Sequence, residues 1–147
     1  MYYVIYKLSS MFFFQSQIIK IGYHDMQNLL RSNMNDFLII NTLSNHLQQC
    51  LIQETVSCTD EPRIINEYIS KYNFKKKIVV YGQHSCDISA EQKANQLTKH
   101  GFTEVYVYVG GLFEWLLLQD IFGEELFPTT SAVKNLLNYK PGIFIKN

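Results

Sequence analysis

Cys86 stands in a short polar stretch, Gly82-Gln83-His84-Ser85-Cys86-Asp87-Ile88, between an apolar run and a helix-like one. The thiolate is the reactive form of cysteine, so a working thiol needs solvent access and a positive microenvironment. The start of a helix offers one, through its free N–H groups and its dipole. His84 adds to that field and Asp87 opposes it. Cys86 is therefore the candidate nucleophile. Gly82, Gln83, His84, Ser85, Asp87, Ile88 and Ser89 form the candidate binding stretch around it. The simpler alternative is an incidental loop thiol.

Other constellations are weaker. His46 and Cys50 are spaced i, i+4, with Cys58 further on, which has the residue types of a zinc site. No paired Cys-x-x-Cys accompanies them, so no metal is assigned and both cysteines read as buried small residues. Asp25, Glu54, Asp60 and Glu61 form no convincing carboxylate pair, and no Ser-His-Asp order or phosphate-binding glycine loop stands out. Gly110-Gly111 reads as a tight turn. No cofactor is implied.

These residues need a scaffold. The chain has 147 residues, 47% of them hydrophobic, which suits one packed domain. With 13 basic and 13 acidic residues the formal charge is zero. That argues against nucleic acid or an anionic membrane as partner, since both call for a basic excess. Lys75-Lys76-Lys77 abuts a strand and reads as its solvated entrance. Three cysteines give no disulfide framework and point to a reducing compartment, the cytoplasm of a cell or host cell. The apolar start, MYYVIYKLSSMFFFQSQIIKIG, is interrupted too often for a membrane span and lacks the basic region and cleavage site of a signal peptide. It reads as a short strand or an ordered arm packed on the domain, with Phe12–Phe14 as packing residues and membrane association as the lesser alternative. Rich isoleucine, asparagine, lysine and tyrosine with little alanine and glycine fit an AT-rich genome, such as that of a protist or a large DNA virus.

Along the chain, HDMQNLLRSN places Met26, Leu29 and Leu30 on one face of a helix. DFLIIN, KKIVVY and EVYVYV are continuous apolar runs, the pattern of strands buried on both faces. Residues 42–62 form a weakly patterned connection, with one helical turn and a short strand around Glu54–Ser57. Thr59 or Asp60 is placed to cap PRIINEYISKY, whose Ile64, Ile65, Tyr68 and Ile69 share a face. Ser89 and Gln92 fit a capping box for the next helix, and Gly101 fits its left-handed end. LFEWLLLQDIF is a strongly apolar core helix. Thr130 or Ser131 is placed to cap a further helix through Leu137. Strands alternating with helices predict an α/β fold, with parallel DFLIIN, KKIVVY and EVYVYV as neighbours in one sheet. In such sheets ligands sit at the carboxyl ends of strands, where Gly82–Ile88 lies.

The stretch VVYGQHSCDISAEQKANQLTKHGFTEVYVYVGGLFEW resembles the C-terminal half of a rhodanese-like domain. Ile78–Tyr81, Gly101-Phe102, Val105-Tyr106-Val107, Gly110-Gly111 and Trp115 match the family pattern in order. DFLIINTL and CLIQETVSC match its first half more loosely. The resemblance implies a mainly parallel central sheet with helices on both faces. It implies an N-terminal arm at residues 1–19, a rhodanese-like domain at 20–122 and a C-terminal extension packed on it at 123–147. It also implies departures. The family's sulfur-carrying cysteine falls at Gly82, and its loop arginine has no counterpart, Asp87 lying nearest. Asn41 and Leu43 replace an Asp and an Arg, and Leu51 replaces a histidine. The expected function is a binding or regulatory module without sulfurtransferase activity, holding an unknown protein partner or small anion at Gly82–Ile88. The alternative is a thiosulfate or persulfide sulfurtransferase using Cys86, helped by the Cys-Asp-x-Ser run that some members carry here. Phosphatase chemistry of the Cys-x5-Arg kind lacks its arginine.

Overall fold

The computed structural model describes residues 17–145, apart from the side chain of Met34. The first sixteen residues, with Phe12–Phe14, lie outside the described part. Four strands form one sheet: β1 (Ile19–Ile21), β2 (Phe37–Asn41), β3 (Lys77–Tyr81) and β4 (Val105–Tyr108), in the order β1-β4-β3-β2. Every pairing is parallel, with Leu38 opposite Ile78 and Ile78 opposite Val105. The helices are α1 (Tyr23–Arg31), α2 (Glu61–Ser70), α3 (Ser89–Lys99) and α4 (Gly111–Phe122).

Alternate residues of each strand enter different cores, because successive side chains point to opposite faces. Leu38, Ile40, Ile78, Val80, Val105 and Val107 face Ile65 of α2 and Ala90, Ala94 and Leu97 of α3. Ile39, Val79, Tyr81 and Tyr108 face Met26 and Leu29 of α1 and Leu112, Trp115 and Leu116 of α4. A sheet covered on both sides explains the unbroken apolar runs. Full burial of each such aliphatic side chain stabilises the fold by roughly 1.5–3 kcal/mol.

The chain beyond α4 packs on this core. Phe127 and Thr129 are buried, and Thr129 bridges to Ile52. Trp115 Nε1 donates to Pro128 O at 3.1 Å, Gln119 Nε2 to Phe127 O at 2.7 Å, and Gln27 Nε2 to Leu126 O at 2.8 Å. Buried N–H donors require such partners.

Several local expectations need correction. Asp60 stands at the start of α2 but makes no capping bond; Ser57 Oγ engages Asp60 Oδ2 and Thr59 Oγ1 instead. The strand around Glu54–Ser57 is a single parallel bridge between Thr55 and Ile39. Glu54 has φ 64°, outside strand geometry. Ser89 caps nothing, because its hydroxyl is taken by Thr42 Oγ1 at 2.6 Å. No helix follows Thr130: that hydroxyl accepts from Leu51 N and Ser131 Oγ donates to Gln49 O. A 3-10 turn, Leu136–Tyr139, forms instead, capped by Asn135. Cys58 is half-buried, while Cys50 is buried as expected. Burial pushes the Cys50 thiol above its ordinary value. Among the described residues no group of three or more His, Cys, Asp or Glu is arranged to hold a metal ion. Nor is any described helix long and apolar enough to cross a membrane.

Candidate functional site

The stretch 82–88 leaves the carboxyl end of β3, the central position between β4 and β2. Two neighbouring elements fix it. From α4, Leu112 N donates to Gly82 O at 3.0 Å and Phe113 N to Gln83 O at 2.8 Å. These are first-turn N–H groups that would otherwise lack partners. They can reach the loop only because Gly111, at φ 68°, has no side chain. A Cβ there would stand 2.7 Å from His84 N, 2.9 Å from Gln83 C and 2.9 Å from Gly82 O. Gly111 is thus the residue that lets α4 seat on the loop. From β2, Thr42 N donates to Tyr81 O at 3.0 Å, and Thr42 Oγ1 meets Ser89 Oγ. Asn41 holds its own turn: its Oδ1 accepts from Leu43 N at 3.0 Å and from Gln48 Nε2 at 2.7 Å.

The centre of the loop is occupied by a carboxylate. Asp87 Oδ2 accepts from Gln83 N at 3.0 Å and Oδ1 from Ser89 N at 2.9 Å. Asp87 N in turn donates to His84 O at 3.0 Å. Asp87 therefore takes one N–H group of the loop and the first N–H group of α3, the kind of donor a helix start offers to an anion. It also fills the space above Gly82, where a Cβ would come within 2.6 Å of Asp87 Oδ2. Burial works to raise the Asp87 carboxyl, but hydrogen bonds from Gln83 and Ser89 and the nearby His84 ring outweigh it and hold it below the ordinary carboxylate range.

That sign fixes a pH dependence. A depressed carboxyl stabilises the fold fully above its unfolded value of about 3.9 and loses that contribution as pH falls through the folded value. Asp87→Asn is expected to lose about 1–2 kcal/mol at neutral pH, the scale of partly solvated hydrogen bonds to a charged group. Urea unfolding from pH 7 to 3 should show a constant difference from wild type above about pH 5. The difference should narrow below about pH 4. A gap that stays constant throughout would mean that the carboxylate is not held in this way.

The loop walls two clefts. One, about 180 Å³, lies against Lys20, His84, Glu91 and Tyr108. The other, about 420 Å³, is lined by Thr42, Ser44, Gln83, Cys86, Asp87 and Ser89 among others. Cys86 is exposed on its wall, and Ser85 and Ile88 are exposed nearby. Gly82 is buried, and Gln83, His84, Asp87 and Ser89 are half-buried. His84 Nδ1 is shielded from solvent and finds no hydrogen-bond partner among the described residues. Of the sequence-selected residues, Gly82–Ile88 form the loop and Ser89 opens α3. The structure adds Thr42 and Ser44 from the end of β2, and Lys20 from β1, paired with Glu91 of α3. Thr42 had a signal, since it directly follows a strand whose neighbour carries the loop. Lys20 had none, because the edge pairing of β1 with β4 joins residues far apart in sequence.

The rhodanese-like domain family matches residues 42–118, more than half of the chain. This chain belongs to the rhodanese-like domain family. The match takes in the two rhodanese-like strands β3 and β4, the loop between β3 and α3, and most of α4. β1, α1 and β2 precede it. Among curated proteins the chain is similar to the thiosulfate sulfurtransferase GlpE of Coxiella burnetii, 34% identical over 71 residues. That alignment covers 48% of this chain and 57% of the relative, so the chain spans little more than half the length of the curated relatives it matches. Among solved structures it resembles the rhodanese-like domain of the Alr3790 protein from Anabaena sp., with TM-score 0.57 and 20% identity over 89% of this chain and 90% of that one. A crystal structure of the Alr3790 protein gives TM-score 0.54 and 22% identity over 80% and 86% of the two chains. These structural likenesses concern the shared rhodanese-like fold.

Proposed function

We propose that this rhodanese-like domain is a binding module that carries no sulfur, with the loop Gly82–Ile88 as its recognition surface for a protein partner. One observation carries the reading: the Asp87 carboxylate takes the Gln83 and Ser89 N–H groups and covers Gly82, the position that the family resemblance gives to the sulfur-carrying cysteine. A small anion would have to displace that carboxylate from the same two donors. A protein partner would not, because the outer side of the loop, Ser85, Cys86 and Ile88, is exposed.

A second reading rests on Cys86, exposed on the cleft wall, and on the similarity to a thiosulfate sulfurtransferase. In that chemistry the thiolate sulfur attacks the outer sulfur of thiosulfate. The S–S bond of thiosulfate breaks and its electron pair leaves with sulfite. The resulting cysteine persulfide passes its outer sulfur to cyanide, which regenerates the thiolate and releases thiocyanate. The developing negative charge needs fixed positive groups close by. Here the loop holds a carboxylate and no arginine.

A thiosulfate–cyanide assay at neutral pH separates the two. We expect no turnover above background, and no change in Cys86→Ser. Turnover that is abolished in Cys86→Ser would overturn the module reading and establish the second one.

A further inference from the structure

The far end of α4 breaks two local rules at once. First, Ile121 is 69% exposed and Phe122 58%, and Leu117 and Leu126 are exposed beside them. The helix LFEWLLLQDIF is apolar nearly all round, a pattern that normally means burial on every side. The domain covers only one side of it, through Leu112, Trp115 and Leu116. Second, the charge at this end has the wrong sign for a helix C-terminus, where cations are favoured. The last turn has no basic residue, and Asp120 is followed by Glu124 and Glu125. Asp120, Glu124 and Glu125 are thus three acidic residues at this end, and the next basic residue along the chain, Lys134, is exposed and does not line the cleft described below. The ion pairs formed among the described residues lie elsewhere. Departures of this kind from local preference are expected where a surface serves a purpose other than folding.

The two features meet at a cleft. A space of about 290 Å³ opens between α4 and residues 132–136, with Leu116, Val133 and Leu136 as apolar lining and Asp120 and Glu124 as acidic lining. Its shape and charge suit a long basic side chain, which lays its methylenes on apolar surface and keeps its charged head beside carboxylates. Leu117 and Ile121 stand one residue round the helix from Leu116 and Asp120, so an apolar neighbour of that basic side chain would cover them.

From this complementarity we propose that the C-terminal end of α4 is a docking face for a partner segment in which arginine or lysine alternates with large apolar side chains. The basic side chain enters the Asp120–Glu124 cleft, and the apolar ones cover Leu117 and Ile121. The face goes beyond the recognition loop. It lies at the opposite end of α4 from the residues that hold Gly82 and Gln83, a helix of 12 residues away. An acidic face of this kind repels anionic lipid surfaces, which leaves a basic peptide as the fitting occupant.

The probes are two amphipathic helix-forming peptides, one of lysine and leucine and one of glutamate and leucine, with binding to the full chain followed by fluorescence anisotropy. The lysine peptide is expected to bind at least about tenfold more tightly, a difference of about 1.4 kcal/mol, and to weaken as salt is raised. Ile121→Ser, an exposed position whose change leaves the core intact, should weaken it about tenfold. Asp120→Asn with Glu124→Gln should weaken it similarly and flatten the salt dependence. Cys86→Ser should bind as wild type does, so a failure of the loop reading leaves this result untouched. Equal binding of both peptides, or binding indifferent to Ile121→Ser, would overturn the proposal. So would a wild-type dimer in sedimentation that Ile121→Ser dissolves, because a second copy would then be the occupant.

Discussion

Gly111→Ala is expected to lower the unfolding free energy by about 2–5 kcal/mol and to release the loop 82–88 from α4. Two costs combine. Gly111 has φ 68°, where a residue with a Cβ is disfavoured by about 1–2 kcal/mol. The new methyl group would also press against backbone, His84 N at 2.7 Å and Gly82 O at 2.9 Å, and backbone cannot swing aside like the end of a side chain. Relief requires α4 to back away, which adds roughly 1–3 kcal/mol of overpacking cost and lengthens the Leu112 and Phe113 bonds to the loop carbonyls. Denaturant titration measures the loss, and limited proteolysis should show earlier cleavage within 82–88. Gly142→Ala is the control: a Cβ there has nothing within 4 Å, and little change is expected. If Gly111→Ala unfolded within about 0.5 kcal/mol of wild type, the level of a neutral surface change, the role described for Gly111 would be wrong.

Such contacts mark the boundary of what the sequence disclosed. Buried parallel strands announce themselves because both faces are apolar, and DFLIIN, KKIVVY and EVYVYV pair in parallel as expected. The helices followed from their periodicity, to within a residue or two at each end. Gly101, with φ 109°, closes α3 as its position suggested. Hydroxyl and carboxylate partners were not legible. Ser89 looks like a cap by spacing, yet the residue that reaches it first is Thr42, 47 positions away in sequence. Ser131 likewise ties to Gln49, 82 positions away, and no helix begins there. Local motifs propose a partner for each polar group, and tertiary contacts supply a competing one at similar free energy. The loop's place at a strand end could be read in advance. That Asp87 folds back into it could not, since the same residue pointing outward would leave the sequence unchanged. The apolar helix LFEWLLLQDIF gave a related miss: its composition spoke of a core helix, whereas Leu117, Ile121 and Phe122 are exposed.

Gly82→Cys tests how firmly Asp87 closes the loop, and it is expected to destabilise the fold. Its Cβ would stand 2.6 Å from Asp87 Oδ2, 3.1 Å from Asp87 Cγ and 3.4 Å from Thr42 Oγ1. A carboxylate end can move, but this one is tied to Gln83 N and Ser89 N. Breaking two hydrogen bonds to a charged group costs about 2–4 kcal/mol, less whatever water returns to the released carboxylate. In Gly82→Cys with Asp87→Ala the obstruction is gone. The two changes should then be less damaging together than the sum of each alone, with a coupling of about 1–3 kcal/mol. The thiol would in that case stand where the carboxylate stood, facing the Gln83 and Ser89 N–H groups, and N–H groups at a helix start favour a thiolate. Measured in a Cys86→Ser background at neutral pH, alkylation at position 82 should be at least about tenfold faster in the double variant than in Gly82→Cys alone. Sulfur transfer from thiosulfate should remain low even there, because the loop still offers no arginine to the anionic donor. Additive stabilities, or a Gly82→Cys protein as stable as wild type, would show that Asp87 does not hold this space. The proposed reading of the loop as a recognition surface closed by its own carboxylate would then lose its support.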